Sequence, residues 1–278
     1  MKDAFLRSNV HTHSTFCDGK NTVQEMAAAA SSSGFVGLGF SGHSPALFDP
    51  SCPGISDEAA YRAEVDEMRR KYDGKMSILC GVEQDYYAPV CREDYDYLIG
   101  TVHYLPGPQG MLVAIDNTHE EILDLRSAVF SGDGLSVAKS FFELSVENVA
   151  RYKPDIVGHF DLVVKHNQGG SLFDENSPIY KNAALQAIDA VADIILPYGG
   201  IVEVNTGGMA RGYRDTPYPD IFILEHLAQR NARVMLSSDS HSVSTLNYGF
   251  DKVIEILRAV GFKSVALLQD GYFKNVKI

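Results

Sequence analysis

The chain has 278 residues, of which 45% are hydrophobic and 22% charged, with a formal net charge of -12 and four cysteines. That size and balance suit a single domain spanning 1–278 with a sizeable core, and the cysteines (Cys17, Cys52, Cys80 and Cys91) form no metal-knuckle or disulfide framework. The negative charge disfavours long polyanions, so a small substrate is expected and nucleic acid is not.

The opening residues Met1 to Ser14 lack an apolar leader with a small-residue cleavage site, and no stretch reaches bilayer-spanning length. A cytoplasmic location with no membrane association is therefore expected. Along the chain, seven short apolar runs read as strands buried on both faces: 5–10, 35–40, 76–82, 97–102, 156–158, 201–204 and 234–236. Helix patterns fall between and after them. The first, 22–33, is expected to be capped by Asn21, and the second, 56–72, carries acids in its first turn. Helices at 118–130 and 136–152 meet at the turn Ser131-Gly-Asp-Gly134. Then come 177–196, with Pro178 at its start, 219–229 and 244–260. The tail from 264 to 278 fits either a last strand or a short helix, and the Pro- and Gly-rich stretch 105–117 fits either a lid or a surface loop.

This βαβα alternation predicts parallel strands with helical crossovers, and a distorted (β/α)7 barrel of the TIM type is the expected fold. Alternation alone also permits an open doubly wound sheet. The residues at and just past the strand ends are more informative. In order the strands lead into His11-Thr-His13 with Asp18, Ser41-Gly-His43, Glu83-Gln-Asp85, His103, Gly158-His159-Phe-Asp161, Glu203-Val-Asn205 and Ser238-Asp239-Ser-His241. In a barrel those strand ends share one face, so imidazoles and carboxylates would converge there. His11 and His13, two apart on extended backbone, point to the same side. Such a donor set suits zinc, iron or manganese, and its size exceeds what one ion can use. Asp85, Asp161 and Asn205 are expected to orient the histidines, and Cys17 to fill space beside the site. His119 and His226 read as helix residues with packing or surface roles, and His166 as a loop residue.

As a set, these motifs resemble the PHP (polymerase and histidinol phosphatase) superfamily. The stretches Tyr97-Leu-Ile-Gly-Thr-Val-His103, Val157-Gly-His-Phe-Asp-Leu162 and Glu203-Val-Asn-Thr-Gly-Gly-Met-Ala-Arg211 resemble its histidinol-phosphate phosphatase branch. The resemblance implies a trinuclear site of divalent ions. One ion would take His11, His13, Glu83 and Asp239; a second Asp18, His43 and His241; a third the bridging Glu83 with His103 and His159. It also implies hydrolysis of L-histidinol phosphate in histidine biosynthesis. The chain departs from the pattern at Val164-Lys165-His166, where related enzymes carry a Lys-Arg pair.

The expected chemistry is in-line attack of a metal-bound hydroxide on a small phosphomonoester. Arg211 is the first candidate for the phosphate and Lys165 the second, with Arg214 more at home as a surface charge. Asp239 and His241 are the candidates for proton transfer. Competing readings are another phosphoester (phosphotyrosine, a nucleotide or an oligonucleotide end) and an amidohydrolase-type C–N hydrolase. Asp18, His43 and the Asp239-Ser-His241 motif argue against the latter, because they supply a further ion.

Overall fold

The computed structural model of the protein describes residues 7–278. Eleven strands and eight α-helices lie along them. The first six strands are β1 (Arg7–Asn9), β2 (Phe35–Phe40), β3 (Ser77–Asp85), β4 (Tyr97–Thr101), β5 (Tyr104–Pro106) and β6 (Leu112–Ala114). The rest are β7 (Ile156–Val157), β8 (Ile201–Asn205), β9 (Arg233–Ser237), β10 (Ser264–Gln269) and β11 (Tyr272–Lys277). Residues 5 and 6 of the expected first strand lie outside the described span.

Seven strands pair in parallel in the order β1-β2-β3-β4-β7-β8-β9. The two edges meet beyond the strands proper, where Thr12 forms a parallel bridge with Ser240. The His13 amide donates to the Ser240 carbonyl (2.9 Å), and the Ser240 amide donates to the His11 carbonyl (3.1 Å). The sheet is thus a distorted seven-stranded barrel whose seam is stitched beside the first histidine motif. An open sheet is ruled out by that seam.

The barrel interior is narrow and apolar. Val10, Tyr97, Ile99, Ile156, Ile201, Met235, Ala266 and Leu268 form one buried cluster within it. Tyr97 is wholly buried, and its hydroxyl donates toward the carbonyls of Val10 (2.5 Å) and Phe40 (3.1 Å). A side chain at Gly39 or Gly81 would collide with the Tyr97 ring, so both positions need glycine. The tail resolves as the antiparallel hairpin β10–β11, whose Leu268 amide donates to Ser8 Oγ (3.1 Å). It is a hairpin rather than a helix because Ala266 and Leu268, two apart, must both enter the barrel core.

Helices cover the outside. They are α1 (Val23–Ser32), α2 (Glu58–Lys71), α3 (His119–Phe130), α4 (Gly134–Tyr152), α5 (Pro178–Ile195), the short α6 (Gly207–Ala210), α7 (Ile221–Gln229) and α8 (Phe250–Val260). The buried residues of α1 are Val23, Met26, Ala27 and Ala30, the spacing of one helical stripe. Its cap is Thr22, not Asn21: Thr22 and Glu25 form a reciprocal capping box. The Asn21 side chain instead accepts from the Val243 amide (3.0 Å) and ties α1 to the loop after β9. The expected helix 244–260 begins only at Phe250, because residues 243–245 form a separate short 3-10 turn. The stretch 105–117 folds largely as the β5–β6 hairpin, which carries the chain away from His103 and back.

Candidate metal centre

Each parallel strand ends at the same face of the barrel, and the motif after it lies there. Glu83, near the end of β3, is the hub. It is 1% exposed, and each of its oxygens faces a different group of rings. Glu83 Oε2 lies 3.3 Å from His11 Nε2, 3.5 Å from His13 Nε2 and 2.8 Å from His43 Nδ1. Glu83 Oε1 lies 3.2 Å from His103 Nε2 and 2.8 Å from His159 Nε2. Asp239 Oδ1 closes the first group, 3.1 Å from His13 Nε2 and 3.6 Å from His11 Nε2. Asp18 Oδ2 stands outermost, 2.9 Å from His241 Nε2 and 3.6 Å from His43 Nε2.

All nine residues expected from sequence therefore meet. Their donor atoms gather as His11, His13 and Glu83, and as His43, Glu83 and His103, while Asp239 approaches through His13 and His11, and His159 through Glu83. By donor-atom spacing, with all atoms within 4.8 Å of one another, His13 also joins the outer group of Asp18, His43 and His241. His13 and His241 stack with ring centroids 4.0 Å apart, so the pair disfavours carrying two charges.

The donor set fits cations. His11 Nε2, His13 Nε2 and Glu83 Oε2 are buried and have no hydrogen-bond partner. Three unpartnered polar atoms facing one another cost several kcal/mol unless a positive charge sits among them. Burial opposes the charge of the His11 ring, but Glu203, Glu83 and Asp239 outweigh it and hold its pKa up at about 10. Burial likewise pushes the Glu83 carboxyl up, and the surrounding imidazolium charge of His11, His43 and His103 pulls it well below its ordinary range. The site favours extra positive charge at both ends.

One residue at the centre was legible only as a strand-end acid. Glu203 on β8 does not join the donor groups. Its Oε1 sits 2.5 Å from His11 Nδ1 and accepts from Ser237 Oγ (2.5 Å). Its Oε2 accepts from the His159 amide (2.8 Å) and from Asn205 Nδ2 (3.1 Å). Glu203 thereby fixes the His11 tautomer and leaves Nε2 with a lone pair for an ion. Asp85 Oδ2 accepts from the His103 backbone amide (2.7 Å) and lies 3.5 Å from the Nδ1 of that ring. Asn205 acts through Glu203. Asp161 does not orient a histidine: its Oδ2 accepts from the Asp220 amide (2.9 Å), beside Arg214. Asp220 is the N-cap of α7, so Asp161 braces the start of that helix. The Cys17 thiol packs 3.5 Å from His13 Nδ1.

The cluster floors a cleft of about 680 Å3 whose walls include Arg211, Lys165, Asp116 and Asp49. Arg211 follows α6, and its guanidinium folds back to donate to Asp239 Oδ2 (2.6 Å) and to the Asp239 carbonyl (3.2 Å). A side chain at Gly207 would occupy the space of that guanidinium, which accounts for the glycine there. Asp239 itself adopts φ 46, the left-handed conformation that aspartate tolerates better than bulkier residues. Lys165 pairs with Asp116 at 3.1 Å. Arg214 lies elsewhere, between Glu175 (2.8 Å) and Asp220 (3.3 Å). His119 Nδ1 meets the His166 carbonyl (2.9 Å), His166 packs edge-on against Tyr213, and His226 pairs with Asp189 (2.8 Å).

A barrel with this buried histidine and carboxylate cluster at its strand ends defines a metal-centred hydrolase. The chain belongs to the PHP domain family, whose model matches residues 9–207. It is 28% identical to the probable histidinol-phosphatase of Deinococcus radiodurans over 92% of this chain and 94% of that protein. It is 25% identical to the histidinol-phosphatase of Bacillus subtilis over 88% of this chain and 97% of that protein. Among solved structures, hisK from Listeria monocytogenes superposes with a TM-score of 0.73 at 20% identity, covering 88% of this chain and 99% of that one. The histidinol phosphate phosphatase of Lactococcus lactis, complexed with zinc, L-histidinol and phosphate, gives 0.67 at 16% identity, covering 96% and 98%. Both share the fold.

Proposed function

We propose that the protein hydrolyses L-histidinol phosphate to L-histidinol and phosphate, using three divalent ions held by His11, His13, Asp18, His43, Glu83, His103, His159, Asp239 and His241. The observation that carries this reading is the convergence of five histidines on Glu83, flanked by Asp239, Asp18 and His241, in a cleft that also holds Arg211 and Lys165. Full-length similarity to proteins named for this activity supports the substrate. Zinc, iron and manganese all suit the donor set.

Bound divalent ions supply Lewis acidity toward phosphoryl oxygens and lower the pKa of water at neutral pH. The residues of the chain do the rest. Arg211 engages the phosphate at the cleft and holds Asp239 Oδ2, so the Asp239 carboxylate keeps one orientation. His241 Nδ1 lies 2.9 Å from the Asp239 carbonyl, which selects the tautomer with the lone pair on Nε2. That leaves His241 Nε2 free to serve as a ligand beside Asp18. Lys165, paired with Asp116 on the facing wall, adds positive charge near the phosphate. The reaction is a cytoplasmic one on this reading. Among the described residues no helix is long and apolar enough to cross a membrane.

The test is turnover of L-histidinol phosphate beside other phosphomonoesters, by protein loaded with zinc, manganese or iron. Preference for histidinol phosphate, abolished by chelation and by His13→Ala, is expected. Activity that survives complete chelation sinks the scheme, and a flat substrate profile sinks the substrate.

A further inference from the structure

The cleft wall contains a carboxylate that the reaction, as described, does not use. Six acidic residues line the cleft: Asp18, Asp49, Glu83, Asp85, Asp116 and Asp239. Asp18, Glu83 and Asp239 belong to the metal cluster. Asp49 is saturated: its Oδ1 accepts from the Ser51 amide (2.9 Å) and hydroxyl (2.6 Å), and its Oδ2 from the Tyr104 hydroxyl (2.7 Å). Asp85 is saturated as well, by the amides of Tyr87 (2.8 Å) and His103 (2.7 Å). Asp116 is different. Its Oδ2 accepts from Lys165 Nζ (3.1 Å), while no protein group donates to its Oδ1, and the side chain is 24% exposed.

Asp116 is also held in place. The β5–β6 hairpin leaves from the ligand His103 and returns so that the Ile115 amide donates to the His103 carbonyl (2.9 Å). His166 Nε2 meets the Asp116 carbonyl (3.1 Å), and the Lys165 ammonium rests over the Tyr213 ring at 5.2 Å. Burial pushes the Asp116 carboxyl up, but Lys165 and His103 outweigh it and bring its pKa down to about 2. An ionised, positioned carboxylate with one open oxygen faces a cleft otherwise built for anions.

We propose that Asp116 is the specificity-determining residue of the cleft, receiving on Oδ1 the primary ammonium of a phosphomonoester whose alcohol carries an amine close to the ester oxygen. The inference rests on the phosphomonoesterase reading above and narrows its substrate class. Charges then alternate along the wall: phosphate, Lys165, Asp116, substrate ammonium. A charge-assisted hydrogen bond of this kind distinguishes amine-bearing from amine-free esters by about 10- to 100-fold. In L-histidinol phosphate the amine sits on the carbon next to the ester methylene, and the imidazole is a second source of positive charge that the test must separate.

The experiment uses the full chain loaded with manganese and two substrate pairs. One pair is L-histidinol phosphate and its deamino analogue; the other is L-phenylalaninol phosphate and its deamino analogue. Wild-type protein is expected to favour the amine-bearing member of both pairs by about 10- to 100-fold in kcat/KM. Asp116→Asn is expected to lose that preference, chiefly through a raised KM for the amine-bearing esters; the effect of loosening Lys165 falls on both members of a pair and cancels in their ratio. Metal content and melting temperature of the variant establish that it is folded. Asp116→Asn with the preference intact overturns the proposal. So does a wild-type preference that follows the imidazole instead of the amine, or no preference at all. An amine preference confined to the phenyl pair, with no histidinol phosphate turnover, refutes the histidinol reading and leaves the role of Asp116 standing. No turnover of any of the four esters refutes both.

Discussion

Glu203 Oε1 lies 2.5 Å from His11 Nδ1, and this contact aims His11 Nε2 at Glu83 Oε2, 3.3 Å away. A carboxylate on β8 thus sets the direction of an imidazole just past β1, across the seam of the barrel. Glu203→Gln keeps the shape and removes the charge, so ion affinity at that position should fall about 10- to 100-fold. Equilibrium metal titration followed by elemental analysis checks this. Unchanged affinity would mean that His11 is oriented by its backbone alone.

Metal binding should depend on pH in a defined direction. Without an ion, burial opposes the charges of His11 and His103, yet neighbouring carboxylates, Glu203 and Glu83 for His11 and Glu83 and Asp85 for His103, hold both rings protonated with pKa values of about 10. An incoming cation must displace those protons, so affinity rises as pH rises and weakens as pH falls. The change is roughly tenfold per pH unit for each proton released. Calorimetric titrations in buffers of different ionisation enthalpy count the protons. A count of zero would contradict the electrostatics of the cluster.

Arg211 and Arg214 lie close in sequence and should behave in opposite ways. Arg211→Met removes a guanidinium from the cleft and from Asp239, so kcat/KM should fall by about 10²-fold or more. Arg214→Met breaks a largely buried bridge to Glu175 and Asp220 away from the cluster. It should cost about 2–4 kcal/mol of stability with turnover per folded molecule preserved. Denaturant unfolding and steady-state kinetics on both variants separate the roles, and a reversed pattern would refute the assignment.

Gly81→Ala tests how the barrel is filled. The added methyl meets the ring of Tyr97, which cannot retreat without losing its hydroxyl bonds to Val10 and Phe40. A loss of about 1–3 kcal/mol is expected. The same substitution in a Tyr97→Phe background should not be additive with it, because both act on one ring. Additive losses in thermal unfolding would show that the ring has room to move.

Much of the fold was readable from residue order. The strand runs 35–40 and 97–102 stand out because strands buried on both faces must be largely apolar, and they end just before His43 and His103. Residues 264–278 were ambiguous because Val265-Ala-Leu-Leu268 is apolar without a decisive period; only the slot left inside the barrel selects a hairpin. Asn21 and Thr22 are both good caps, and the competition is settled by which partner each finds, Glu25 for one and Val243 for the other.

The sequence by itself determined the alternation of elements and the strand-end positions of the histidines and carboxylates, since these depend on local periodicity. The barrel and the grouping of nine donors are expectations drawn from a family resemblance, and closure was decided by the Thr12–Ser240 seam. Only the tertiary structure decided that Glu203 serves His11, that Asp161 serves α7 and not a histidine, and that Asp116 keeps an open oxygen. The reason is that a carboxylate has two oxygens and can turn to either side, and what each one faces is set by neighbours distant along the chain.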